Sequence, residues 1–190
     1  MTTATESKAD TLTNGVNVTA LAETIKAVRN QPEIATFQFR ARNEWLDGGH
    51  NRSTVKEFFG ACEDDTTRTE AFVMDAAEPP VLLGQDQGAN PVEYLLHALA
   101  SCLTTSMVFH AAARGISIES VQSELEGDID IQGFLGLRDD VRKGYNQIRI
   151  NFKVRSDDAT ADVLRECAMF SPVFDTVSRS VPVELKVTTR

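Results

Sequence analysis

Residues 90–112 read NPVEYLLHALASCLTTSMVFHAA. Asn90 is a good helix N-cap, Pro91 takes the favoured first helical position, and Gly115 supplies the stop. Between them Leu95, Leu96, Ala98, Leu99, Leu103 and Met107 leave the helix without a polar face. A helix that is apolar all round must be covered on all sides, and in a chain of 190 residues that calls for two sheets or a second subunit. A homodimer is therefore expected. The same stretch contains Cys102, which poses a choice between a packed thiol and a reactive one.

Outward from this helix the pattern changes period. ISIESVQSELEGDIDI (116–131) and YNQIRINFKVRS (145–156) alternate apolar with polar residues, which predicts two long antiparallel strands joined by an exposed connection over 132–144. A helix is expected over 158–170 and another after Ser171, an N-cap followed by Pro172. VPVELKVTT (181–189) reads as a closing strand. Upstream, EIATFQFRARNEW (33–45) and STVKEFFGA (53–61) read as strands about the turn LDGGHNR, and RTEAFVMDA (68–76) as a third strand. A loop over 78–89 follows, with two prolines and two glycines. Residues 18–29 repeat apolar positions at helical spacing, and 1–15 are polar enough to predict a mobile tail. Strands, a central helix, then strands and helices again give an α+β order, with residues 1–33 as an N-terminal tail and extra helix and 34–190 as the domain proper.

Composition narrows the function. The chain carries 28 acidic against 19 basic residues, a formal charge of −9, whereas a nucleic-acid or anionic-membrane partner would need a clustered basic surface. Nucleic acid and anionic membrane are accordingly not expected as partners. The first thirty residues lack a basic segment followed by an apolar core, so a cytoplasmic location is expected. Three cysteines, at 62, 102 and 167, cannot make an even disulfide framework and match no zinc spacing. The three histidines form no metal signature either, and no cofactor is expected.

Four features taken together carry a resemblance. They are NP opening a helix, a cysteine eleven residues after the proline within ALASC, an ARGI exit into an alternating strand, and a later SPVFDTV. In order and spacing residues 34–190 resemble the OsmC/Ohr superfamily of osmotically inducible and organic hydroperoxide resistance proteins. The resemblance implies an intertwined homodimer with two antiparallel sheets around buried central helices and two sites at the dimer interface. It also implies a cysteine-based peroxidase acting on small apolar hydroperoxides or other soft electrophiles. Cys102 then stands for the family's nucleophile, and Arg52, after the LDGGHN turn, for the arginine that holds the thiolate, with Arg40 and Arg42 as competitors. A cation is needed because only the thiolate is nucleophilic.

The chain departs from the family at two positions. Ser171 stands where the resolving cysteine precedes PV, and serine cannot resolve a sulfenic acid, so an external thiol or Cys167 would have to. Val92 stands where a glutamate follows the proline, with Glu93 one residue later. On an ideal helix residue 92 lies about 80° from Cys102 and residue 93 about 180°, so Glu93 is a poor substitute. Its spacing from Asn90 is that of a capping-box acid. His97 lies about 140° from Cys102, and His110 about 12 Å along the axis, so neither forms a Cys/His pair within the helix. A dimer of the same fold that only binds a small molecule is the alternative function.

Overall fold

The computed structural model describes residues 10–189. The chain divides into two compact units. One spans Asn17–Leu95, and the other runs from Leu96 to the C-terminus together with Thr13–Val16.

Strands β1 (Leu12–Thr13) and β2 (Val16–Asn17) form a short hairpin where the sequence predicts a tail. Asn14 and Gly15 both take positive φ, 53° and 77°, as a two-residue hairpin turn requires. Asn14 donates through Nδ2 to the carbonyl of Ile116 and accepts from the Ile118 amide. The expected mobile tail otherwise falls on residues 1–9, outside the described residues. Helix α1 (Val18–Asn30) is capped by Asn17, whose Oδ1 accepts from the Ala20 amide, and none of its residues is buried.

In the first unit the predicted single strand over 33–45 is two, β3 (Gln38–Phe39) and β4 (Arg42–Asp47). Its predicted partner over 53–61 is likewise two, β5 (His50–Val55) and β6 (Phe58–Gly60). Register explains the split. From Arg42↔Thr54 to Phe39↔Phe58 one side advances three residues and the other four. The extra residue breaks the ladder, as bulges do. β7 (Glu63–Asp65), which the sequence reading missed, pairs with β6, and β8 (Phe72–Ala76) pairs antiparallel with β5. The two three-stranded sheets are therefore β3–β6–β7 and β4–β5–β8.

In the second unit helix α2 (Pro91–Ala113) leads into β9 (Ser120–Asp128). A single helical turn, α3 (Ile131–Phe134), lies in the connection to β10 (Gln147–Arg155), and α4 (Ala161–Ala168) and α5 (Pro172–Ser178) follow. β9 and β10 pair antiparallel over all nine residues, Gln147↔Asp128 through Arg155↔Ser120. Their alternation separates the faces: Val121, Leu125, Ile150, Phe152 and Val154 pack inward, while Arg149 pairs outward with Glu126 and Asp128. The core is the α2 row Leu99, Leu103, Met107 and Ala111 set against Leu164, Cys167 and Ala168 of α4.

Two further expectations change. α2 has the length and hydropathy of a membrane span, but within the chain only the row from Leu99 to Ala111, with Ala112, is buried. The opposite flank is open, with Phe109 45% exposed, so burial on all sides is not achieved by one chain. Residues 181–189 form no strand. Val181, Val183, Leu185 and Val187 still alternate as a strand would, but Val183 and Leu185 are 86% and 84% exposed. An apolar row of this kind becomes a strand only when a sheet edge supplies its hydrogen bonds and a core covers its face.

Candidate functional site

Cys102 is half-buried and free. Its helix is fixed at both ends by local chemistry. Asn90 Oδ1 accepts from the Val92 amide at 3.0 Å, and Glu93 Oε2 accepts from the Asn90 amide at 2.8 Å, which makes a reciprocal capping box. Glu93 is thus committed at the helix start. At the other end Gly115 takes φ 73°, and the Ile116 amide reaches back to the carbonyl of Ala111.

Seven residues advance an ideal helix by nearly two turns, so Leu95, Cys102 and Phe109 lie in one row, each about 20° round from the next. Leu103, whose side chain enters the core, lies about 100° away. Cys102 therefore sits on the flank that the chain leaves open: Leu95 and Phe109 are both exposed, as are Ser101 and Thr105.

Cys167 is fully buried in the core, against the Leu99–Met107 row rather than among the residues flanking Cys102. Ser171 is also buried, and its Oγ accepts from the Phe174 amide at 3.1 Å, the N-cap bond that starts α5. All three cysteines are free, Cys62 lying exposed at the turn between β6 and β7. His110 stacks on Phe170 with ring centroids 3.9 Å apart. Its pKa is lowered, first by burial and then by the charge of Arg114.

Arg52 belongs to the first unit and is held by a residue that the sequence reading did not single out. Its Nε and Nη2 donate to the two carboxylate oxygens of Asp75 at 2.9 and 3.0 Å, and His50 Nε2 lies 3.0 Å from Asp75 Oδ1. The strand register places Arg52 opposite Asp75, so this pair is a product of the β5–β8 pairing. The Asp75 pKa lies below the ordinary value because of the Arg52 bond first and His50 second, and the Arg52 pKa is raised by the same contact. Tyr94 donates to the Asp75 backbone carbonyl at 2.7 Å. Two of the five guanidinium N–H groups are committed, and three remain for another acceptor. Arg40 is paired with Asp64, and Arg42 makes no ion pair among the described residues. The only sequence signal for Asp75 was its place in the strand RTEAFVMDA, which says nothing of its partner until register is known.

The second unit also forms a partly open cavity of about 440 Å³. Its walls come from Leu103 and Met107 of α2, Ile150 and Phe152 of β10, and Leu164 of α4, with Phe174 of α5. Cys102 does not line it. Among the described residues no group of three or more His, Cys, Asp or Glu side chains is placed to hold a metal.

A family model described as OsmC-like protein matches residues 84–186. No curated protein matches the chain. Among solved structures, an OsmC-like protein from Mycoplasma pneumoniae is similar at 15% identity and a TM-score of 0.55, over 75% of this chain and 89% of that one. An OsmC-like protein from Vibrio cholerae is similar at 10% identity and a TM-score of 0.54, over 73% and 92%. An organic hydroperoxide resistance protein OsmC from Legionella pneumophila is similar at 18% identity and a TM-score of 0.50, over 77% and 92%. At these identities the likeness shows the α+β fold with its antiparallel sheets and helices.

Proposed function

The chain belongs to the OsmC-like family, and we propose that it is a homodimeric, thiol-dependent reductase of organic hydroperoxides with Cys102 as nucleophile. The observation that carries this reading is the place of Cys102, half-buried in the Leu95–Cys102–Phe109 row on the open flank of α2. A second copy laid on that flank would wall the thiol with apolar side chains, as an organic peroxide needs. The exposed row from Val181 to Val187 is a second surface suited to the same copy. Isologous dimers bury such surfaces in pairs.

In the reaction the Cys102 thiolate attacks the distal peroxide oxygen, forming an S–O bond as the O–O bond breaks. The leaving alkoxide takes a proton and departs as the alcohol. Sulfur is oxidised to sulfenic acid and the peroxide is reduced. An external thiol then condenses with the sulfenic acid, releasing water and forming a mixed disulfide, and a second thiol restores Cys102. This reading assigns reduction to an external thiol because Ser171 is spent as a helix cap and Cys167 is buried in the core. The family resemblance assigns Arg52 as the cation for the thiolate, and the group that holds Arg52 is Asp75 rather than Glu93. A reducing, cytoplasmic setting suits free thiols.

Cumene hydroperoxide and hydrogen peroxide, each followed by mass spectrometry of all three cysteines, test the reading. Cys102 should oxidise faster than exposed Cys62 and faster with the organic peroxide. Equal rates at Cys102 and Cys62 would sink it. A second reading, a dimer that binds a small molecule without reducing it, is favoured by the apolar cavity that Cys102 does not line.

A further inference from the structure

We propose that the second unit binds an amphiphilic carboxylate, its hydrocarbon tail in the cavity between β10, α2, α4 and α5 and its acid group on Arg165. The proposal rests on the binding reading above and names its ligand.

The cavity of about 440 Å³ falls within the ligand-site range of roughly 300–1,000 Å³. Its side walls are hydrocarbon and aromatic, from Met107 and Leu164 to Phe152 and Phe174. The hollow is partly open to solvent, and its apolar walls offer burial to a hydrocarbon chain that enters it.

The polar end is equally defined. Arg165, on the exposed side of α4, lines this cavity and also an adjoining hollow formed with Arg114, Glu166, Met169 and Phe170. The Arg165 guanidinium makes no hydrogen bond or ion pair among the described residues, whereas Arg114 is paired with Glu166 at 3.6 Å. Two arginines against one glutamate leave a net positive rim in a chain whose formal charge is −9. An unpaired guanidinium at the mouth of an apolar cavity selects a planar anion, because its parallel N–H groups match the two oxygens of a carboxylate. A neutral ligand would leave that charge unused, and a cation would be repelled by it.

Isothermal titration calorimetry with decanoate, decanol and acetate tests the proposal on the full chain. Decanoate should bind about tenfold tighter than decanol, a difference typical of one charge-assisted pair, and acetate should give no heat. Arg165→Met should bring decanoate down to the decanol affinity and leave decanol unchanged. Ala161→Trp, which fills the cavity from an exposed wall position, should abolish both, with circular dichroism confirming that each variant is folded. Decanoate and decanol binding equally, or Arg165→Met leaving the ratio intact, overturns the acid site while the binding reading stands. No heat with any probe overturns both. Binding that appears only in a chain cut after Ser180 assigns the cavity to the protein's own C-terminal segment and likewise overturns the proposal.

Discussion

Leu185→Asp separates a surface residue from an interface residue by magnitude alone. Leu185 is 84% exposed in the single chain, and an exposed leucine away from any contact changes stability by no more than about 0.5 kcal/mol when replaced. If a second copy covers the row Val181–Val187, each Leu185 side chain loses about 1.5–3 kcal/mol of burial on substitution. An isologous interface contains the residue twice, so the dimer loses roughly 3–6 kcal/mol, or about 10²–10⁴ in its dissociation constant at 1.4 kcal/mol per tenfold. Sedimentation equilibrium reads the constant directly. The thermal midpoint of the native chain should rise with protein concentration, and that dependence should be lost in the variant. A stable folded monomer of the native chain at micromolar concentration would refute the reasoning, and so would a Leu185→Asp dimer as tight as the native one.

Organic peroxide should leave Cys102 as sulfenic or sulfinic acid with no intramolecular disulfide, and peptide mapping that finds a 102–167 bridge would make Cys167 the resolver after all. Asn90→Ala should lower stability by about 1 kcal/mol through loss of the cap, seen as a fall of a few degrees in the thermal midpoint. Glu93→Gln, whose amide oxygen can still accept from Asn90, should leave the rate of Cys102 oxidation within about twofold; a large loss would return Glu93 to the reacting centre. The Asp75 pKa is below its ordinary 3.8 in the folded state, so the stability it contributes is complete above that value and is lost as pH falls through the lower folded one. Asp75→Asn should flatten that part of the urea-midpoint profile, and an unchanged acid slope would show that the Arg52–Asp75 contact does not govern it.

Much of the architecture was legible because it is written in local periods. The nine-residue ladder of β9 and β10, the capping box at Asn90 and Glu93, and the Ser171 N-cap each depend on residues within a few positions of one another, or on a strict alternation. The split of the first hairpin was not legible because a bulge is a property of two strands in register and neither strand shows it alone, and β7, three acidic residues, has no apolar alternation to read. Asp75 was missed for the same reason, since an acidic residue in a strand acquires meaning only when Arg52 stands opposite it.

The sequence by itself determined the family, the α+β order and the length and capping of the central helix, since these rest on spacing, caps and hydrophobic period. Only the tertiary structure decided which flank of that helix is packed, that Cys167 faces the core while Cys102 faces the open side, that Arg52 is held by Asp75, and that Arg165 stands unpaired at an apolar cavity. A helix apolar on every side carries no mark of which face its own chain will cover. That choice is made by which strands and helices reach it, and contacts between residues far apart in the chain are set by register and packing rather than by any local pattern.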